Sequence, residues 1–446
     1  MRAAILDQRI TSVSYDWDGE DNASPSVQQV NGTVVCRNMA NNPRFTRTSG
    51  TVEVRRNLAN KPAGTSTYLN PRELGFIARW AGRGGSQEIS LLNDIQGPAG
   101  TGITTAIRKT WTVIGTELLD VAFAHANSGV NAYPVAPGEV FTISSYWRVS
   151  RSQNTLISSR FNLNTYNSSG TSVSSIAGSN YTGHVVADKW NMVSMTFTVP
   201  EGVSFIQPYL FISFTDNTSL QVGDTLDATG LLVEKSAVLR PYFDGSYSPD
   251  PDLTPVWVGT KNASQSYLRG FVPGNISAYS SFAVASSYGI RLIPNTVVSS
   301  ESLVNVGGSF ASLSGNGITF TPGKWYGVQA VCTLLAPQKG TITSYARRMR
   351  LVSNNVSGWA GTTLNFSVQP PNKAGSYQEE IVTQLPSDSV WAVLNLYNGA
   401  SFGGGDVYWD KLLIVEGYTE EEVRRKLAQG YFDGDTQVNA ETINNL

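Results

Sequence analysis

Apolar and polar positions alternate with period two along most of this chain. Glu139 to Val149, Trp190 to Val199, Ser204 to Phe214, Tyr288 to Ile293, Trp325 to Leu334, Thr363 to Val368, Ser389 to Tyr397 and Asp406 to Val415 each show the pattern, with β-branched and aromatic residues prominent. That spacing predicts strands with one face in a core. Stretches rich in Gly, Ser and Asn, such as Asn167 to Asn180 and Gly399 to Gly405, separate the runs and predict loops. Many strands without helices between them predict antiparallel pairing and β-sandwiches, an all-β chain. One segment breaks the rule. Thr419 is a good N-cap, Glu420 to Glu422 suit a helix start, Val423 and Leu427 share a face, and Arg424 to Lys426 suit the end before Gly430. These residues predict a helix over 419–429.

The runs fall into two copies. Leu231-Leu232-Val233-Glu234 leads to Tyr242-Phe243-Asp244-Gly245, and Leu413-Ile414-Val415-Glu416 leads to Tyr431-Phe432-Asp433-Gly434. Pro137-Gly138 and Pro322-Gly323 open strand patterns at corresponding places, for a period of about 185 residues. This predicts two tandem sandwiches, over 54–248 and 257–436, with the helix inserted near the end of the second. A Pro-stiffened linker spans 249–256 and a C-terminal tail 437–446. The first residues are a separate problem. Tyr15-Asp16-Trp17-Asp18-Gly19 is a degenerate closing phrase, and Arg37-Asn38-Met39-Ala40-Asn41-Asn42-Pro43 repeats as Arg56-Asn57-Leu58-Ala59-Asn60-Lys61-Pro62, 19 residues later. Residues 1–53 therefore read as joining material, an extended N-terminal arm or small β element that docks to a neighbour.

Composition narrows the function. In 446 residues the charged fraction is 15% and the formal net charge −2, with basic residues scattered apart from short clusters such as Arg424-Arg425-Lys426. No basic footprint for nucleic acid results. Cys36 and Cys332 fall in different modules, which argues against a disulfide framework. The start of the chain lacks the apolar stretch of a signal peptide, and no window is long and apolar enough for a transmembrane helix, so membrane insertion is not expected. The Asn-x-Ser/Thr triplets at Asn167, Asn217 and Asn262 then read as turn residues.

The phrase Arg56 to Pro62, an all-β stretch, then Leu231 to Glu234 and Pro241-Tyr242-Phe243-Asp244-Gly245, resembles the minor tail proteins of bacteriophages infecting actinobacteria. The resemblance covers roughly residues 54 to 436 in two copies. It departs at Gly259 to Gln265, where the second copy has no clear opening phrase, and at the helix before its end. It implies carbohydrate-binding-module-like jelly rolls, a place in the virion tail after assembly in the host cytoplasm, other tail proteins as neighbours, homo-oligomers set by tail symmetry, and contact with host cell-surface carbohydrate.

Candidate chemistry is sparse. His125 and His184 stand apart from any Cys or metal-ligand spacing, no nucleophile elbow or phosphate loop is present, and Glu379 with Asp410 is an unmarked carboxylate pair. The chain reads as non-enzymatic. Asp244 and Asp433 close tight turns in one reading and hold a structural calcium ion in the other, helped by Asp250, Asp252 and Asp435. Tyr242 and Phe243 seal a sandwich end. Trp147, Trp325, Trp391 and Trp409 lie in strand patterns and read as core, whereas Trp359 and Trp257 sit in Gly- or Pro-flanked segments where a ring can meet a sugar. The expected function is a non-enzymatic virion structural protein, a minor tail or tail-tip component. The alternative is a dedicated carbohydrate-binding adhesin for host cell-wall glycan.

Overall fold

The computed structural model describes residues 9–10, 33–37, 39–40, 44–45, 48–59, 77–80, 85–114, 120–124, 129–151, 153–214, 220–259, 264–279, 282–294, 302–339, 347–357, 364–399, 405–428 and 435–439. The fold is all-β, with one α-helix, Glu420–Ala428, among the described residues. The chain forms two compact units that are nested in sequence. Glu53–Gly270 makes the first; Met1–Val52 together with Phe271–Leu446 makes the second.

The first unit is an antiparallel β-sandwich. Its five-stranded sheet runs in the order Asn191–Thr198, Val140–Val149, Thr225–Glu234, Ala106–Ile114 and Gly85–Leu92. The seven-stranded sheet runs Ser172–Ala177, Gln153–Tyr166, Phe205–Phe214, Asp120–Ala124 and Ile77–Trp80, with Tyr181–Val185 also paired to Gln153–Tyr166 and Tyr133–Pro134 to Phe205–Phe214. Alternation decides which residues meet between them: Phe141, Ile143, Trp147 and Val149 from one sheet join Phe161, Leu163, Leu210 and Phe214 from the other in one core. Trp111 meets Phe214 edge to face at 5.7 Å. Among the described residues the indole N–H groups of Trp111 and Trp147 have no acceptor. Each ring removes roughly 200 Å² from water, about 5 kcal/mol at the usual coefficient, which exceeds the ~1–3 kcal/mol penalty of a stranded N–H. Ser172–Ala177, inside a stretch expected to be loop, is an edge strand with mostly exposed side chains. Its run of Ser residues lacks the apolar face on which the alternation signal depends.

The second unit repeats the plan. One sheet runs Phe282–Ser286, Gly289–Ile293, Val407–Gly417, Trp325–Leu334 and Gly375–Gln384; the other runs Ser277–Tyr279, Ser302–Gly308, Trp391–Asn398, Met349–Asn354 and Leu364–Val368. Ile290, Val328, Leu351, Leu394 and Trp409 are among the residues of the core between them. The helix is capped by Thr419 Oγ1, which accepts from Glu422 N at 3.2 Å, while Glu422 reaches back to Tyr418 N at 2.9 Å. Its Val423 and Leu427 pack on Leu413, Val415, Trp325 and Val382. The approach is close enough to need glycine below it: a Cβ on Gly327 would stand 2.6 Å from Val423 Cγ1. Trp325 is thus half-buried under the helix, Trp147 and Trp409 lie in the cores between the sheets, and Trp391 is buried in a separate small cluster with Val352 and Val393.

The repeated opening phrase shows how the units are closed. In the first, Leu58 N donates to Val233 O at 2.9 Å; in the second, Met39 N donates to Ile414 O at 2.8 Å. The receiving strands carry the same bulge, centred on left-handed residues Gly230 (φ 64°) and Lys411 (φ 53°). Val233 and Ile414 are therefore equivalent, and the two phrases make the same contact. Ala40 and Phe45 enter the second unit's core. Thr33–Arg37 pairs with Asp435–Asn439, and Arg9–Ile10 pairs with Val34 and Val35, so the extended N-terminal segment forms a small three-stranded β element. The opening phrase missing near Gly259 thus stands before the first sandwich. The stretch expected to be a linker at 249–256 runs into the strand Thr254–Trp257, which pairs with Ser266–Arg269 inside the first unit.

Candidate functional site

The residues singled out from sequence separate into structural parts and parts outside the description. Asp244 Oδ1 accepts from Ser246 N at 2.7 Å and Tyr247 N at 2.9 Å, and Oδ2 accepts from the Tyr242 hydroxyl at 3.1 Å. This is a turn-closing carboxylate. Burial, then the neighbouring Asp244 charge, pushes the Tyr242 phenol well above its ordinary range. Asp250 Oδ1 accepts from Asp252 N at 3.1 Å. Among the described residues no group of three or more His, Cys, Asp or Glu is placed to hold a metal ion. Trp257 lies half-buried across Gly245, where a Cβ would stand 2.3 Å from its ring, and donates to Ser246 Oγ at 3.0 Å. Asp433, Trp359 and His125 lie outside the described residues.

A different group of residues comes together on the seven-stranded sheet. Along Gln153–Tyr166 and Phe205–Phe214 the inward positions include Phe161, Leu163, Ile206, Leu210, Ile212 and Phe214 with the buried Ser159 and Thr165, and the outward positions are Arg160, Asn162, Asn164 and Tyr166 on one strand and Phe205, Gln207, Tyr209 and Phe211 on the other. Register sets them in pairs: Arg160 beside Phe211, Asn162 beside Tyr209, Asn164 beside Gln207, Tyr166 beside Phe205. On the far side of Phe205–Phe214, the residues in register with Tyr209 and Phe211 are Ala124 and Ala122.

Hydrogen bonds lock this row. Tyr209 OH donates to Gln207 Oε1 at 2.6 Å and accepts from Asn164 Nδ2 at 2.9 Å; Tyr166 OH donates to the same Gln207 oxygen at 2.8 Å. Arg160 donates from Nε to Asn162 Oδ1 at 2.8 Å and from Nη1 to Asn180 Oδ1 at 3.1 Å, and its Cζ stands 5.4 Å from the centre of the Phe211 ring. Gln207 is fully buried and acts as the anchor, while Asn162, Asn164, Tyr209 and Phe211 keep part of their surface in solvent. Partly exposed aromatic rings, fixed carboxamides and one guanidinium form a preorganised polar and aromatic strip, the chemistry that holds a ring with an apolar face and a hydroxyl rim.

The corresponding sheet of the second sandwich has related residues but a closed surface. Arg350, Asn395 and Asn305 stand in one cross-strand row. Arg350 Nε donates to Asn365 Oδ1 at 2.8 Å and Nη1 to Tyr397 OH at 3.3 Å, and Asn395 Nδ2 donates to Asn305 Oδ1. All but Asn365 are buried. Beyond them Val352, Val393 and Trp391 form a small apolar cluster that Phe310 covers, edge to face on Trp391 at 5.8 Å.

The outer face of the first unit's five-stranded sheet is occupied by ion pairs. Asp227 accepts from Arg108 at 2.7 Å and from Arg148 at 2.9 Å, and Arg148 stacks 4.5 Å over Trp190. These groups satisfy one another. One strand away from solvent, Lys109 points into the core with Ile107 and Trp111, and burial lowers its ammonium to about 7.

No family model matches the chain, and no curated protein does. Among solved structures it is similar to the tandem pair of family 22 carbohydrate-binding modules from Paenibacillus barcinonensis Xyn10C, at 12% identity over 82% of this chain and 99% of that one, with a TM-score of 0.25. A family 22 module of Clostridium thermocellum Xyn10B matches at 13% identity over 40% of this chain and 100% of that one, TM-score 0.24. The enzymatically active domain of bacteriophage CBA120 tailspike protein 4 matches at 12% identity over 44% of this chain and 21% of that one, TM-score 0.23. Scores this low leave the function to be argued from the chain's own geometry.

Proposed function

We propose that the chain is a non-enzymatic glycan-binding protein of a phage tail, with its binding face on the seven-stranded sheet of the first sandwich. The observation that carries this reading is the locked row Asn164, Tyr209, Gln207 and Tyr166, continued by Asn162, Phe211 and Arg160. A sugar ring stacks on Tyr209 or Phe211 while its hydroxyls exchange hydrogen bonds with the flanking carboxamides. Because Gln207 and the strand backbone hold these groups in place before any ligand arrives, little side-chain freedom is lost on binding. The role of the second sandwich is mechanical, since its equivalent row is buried. A non-catalytic role is supported by three acids of the first sandwich, Asp224, Asp227 and Glu234, which are each buried in ion pairs with arginine. The setting on a virion rests on the resemblance of the opening and closing phrases to actinobacteriophage minor tail proteins.

The test is titration of the full chain with solubilised actinobacterial cell-wall polysaccharide, for the native protein and for Tyr209→Ala. Stacking contributes about 1–2 kcal/mol in such contacts, so the variant should bind about five- to thirtyfold more weakly while keeping its unfolding midpoint within a few degrees. Unchanged affinity in folded Tyr209→Ala would remove this face from consideration.

A further inference from the structure

Arg160 differs from the ion-paired arginines of the first sandwich. Arg55, Arg56, Arg108, Arg148, Arg151 and Arg240 each rest on a carboxylate. Arg160 is oriented instead by two neutral carboxamides and by the face of Phe211. Nε and Nη1 are used in those contacts, and among the described residues Nη2 has no acceptor. Its side chain is partly open to solvent, at the end of the aromatic row. A guanidinium presents its N–H groups in a planar fork that fits the two oxygens of a carboxylate or phosphate. Among the described residues the fork is aimed by neutral groups, and no carboxylate there cancels its charge.

We propose that the ligand is an acidic glycan, whose sugar stacked on the row carries a carboxylate or phosphate that pairs with Arg160. This inference rests on the glycan-binding reading above and specifies its ligand. The stacked ring sets the distance at which the anionic group meets Nη2, so discrimination comes from the combination of ring and charge. Burial of Arg160 against Phe211 shields the pair from part of the solvent and strengthens it over a fully exposed one.

The experiment uses the full chain and three probes of matched length: a glucuronic-acid oligosaccharide, the same oligosaccharide with its carboxyls reduced to neutral alcohols, and a glycerol-phosphate-substituted glycan. Native protein should bind at least one anionic probe tenfold more tightly than the neutral one, with the preference shrinking as salt rises from 50 to 500 mM. Which anionic probe binds tells carboxylate from phosphate. Arg160→Gln should abolish the preference by weakening the anionic probes at least tenfold more than the neutral one, and Arg160→Lys should restore only part of it. Equal binding of all three probes, lost in Tyr209→Ala, would overturn the acidic-ligand inference and leave the glycan face standing. Retained preference in Arg160→Gln would overturn the role of this residue. No binding of any probe or of cell-wall polysaccharide, by protein shown to be folded, would remove both.

Discussion

Asn57 ties the opening phrase of the first sandwich to its closing strand, and its removal has a calculable effect. Its side chain is buried, with Oδ1 accepting from Val233 N at 3.0 Å and from Ala59 N at 3.0 Å, and Nδ2 donating to Leu231 O at 3.0 Å. Val233 is fully buried and Leu231 nearly so. Asn57→Ala strands one buried N–H and one buried C=O at about 1–3 kcal/mol each, and Ala59 N regains a bond to water. The expected loss is about 3 kcal/mol, which for a unit of this size lowers the midpoint by about 6–12 °C. Hydrogen exchange with mass spectrometry, at stepped urea concentrations, reads the two units separately. Peptides covering 226–234 should open at lower urea in the variant, and those covering 407–417 should serve as an internal reference. A shift in the first unit equivalent to less than 0.5 kcal/mol would refute the argument that these bonds close the sandwich.

Two further outcomes follow from particular groups. Lys109, with its folded ammonium lowered to about 7 against 10.5 in the open chain, makes folding costlier wherever the unfolded state holds the extra proton. The penalty is complete below pH 7 and is relieved as pH climbs towards 10.5, by at most about 5 kcal/mol over the interval. Urea unfolding of the first unit should therefore show stability rising between pH 7 and 9.5 in the native protein and a flatter profile in Lys109→Met; parallel profiles would contradict this. In the second unit, Gly289 (φ 90°) has its missing Cβ position 2.2 Å from Trp409 O. Gly289→Ala should cost about 3 kcal/mol through left-handed strain and a backbone clash, visible as a lower midpoint for peptides of that unit alone.

Much of the fold was legible along the chain because sandwich strands alternate, and the runs at 139–149, 204–214, 325–334 and 389–397 are strands with the expected faces inward. The strand Gln153–Tyr166 was not singled out, since its polar positions are Asn, Ser and Thr that also fill loops. The nesting was invisible for a different reason. A contact between Met39 and Ile414 leaves no local signature, and a repeated phrase shows that something recurs without showing which partner it meets. The candidate site has no signature along the chain, because tyrosine, phenylalanine and carboxamides on a strand face stand out less than tryptophans in Gly- or Pro-flanked loops. Arg160, Asn162 and Asn164 carry little meaning until sheet order sets them beside Phe211, Tyr209 and Gln207.

The nested order has a consequence for synthesis. Thr33–Arg37 and Met39 leave the ribosome long before Asp435–Asn439 and Ile414, with which they pair. Roughly 400 residues separate Thr33–Arg37 from Asp435–Asn439, so at about 5–20 residues per second the waiting strand spends about 20–80 s without its mate. During that interval the first sandwich has every strand it needs. A nascent chain stalled after Gly270 therefore carries a finished first sandwich and an unpaired leading strand, whose free backbone groups are the natural target for a holding chaperone.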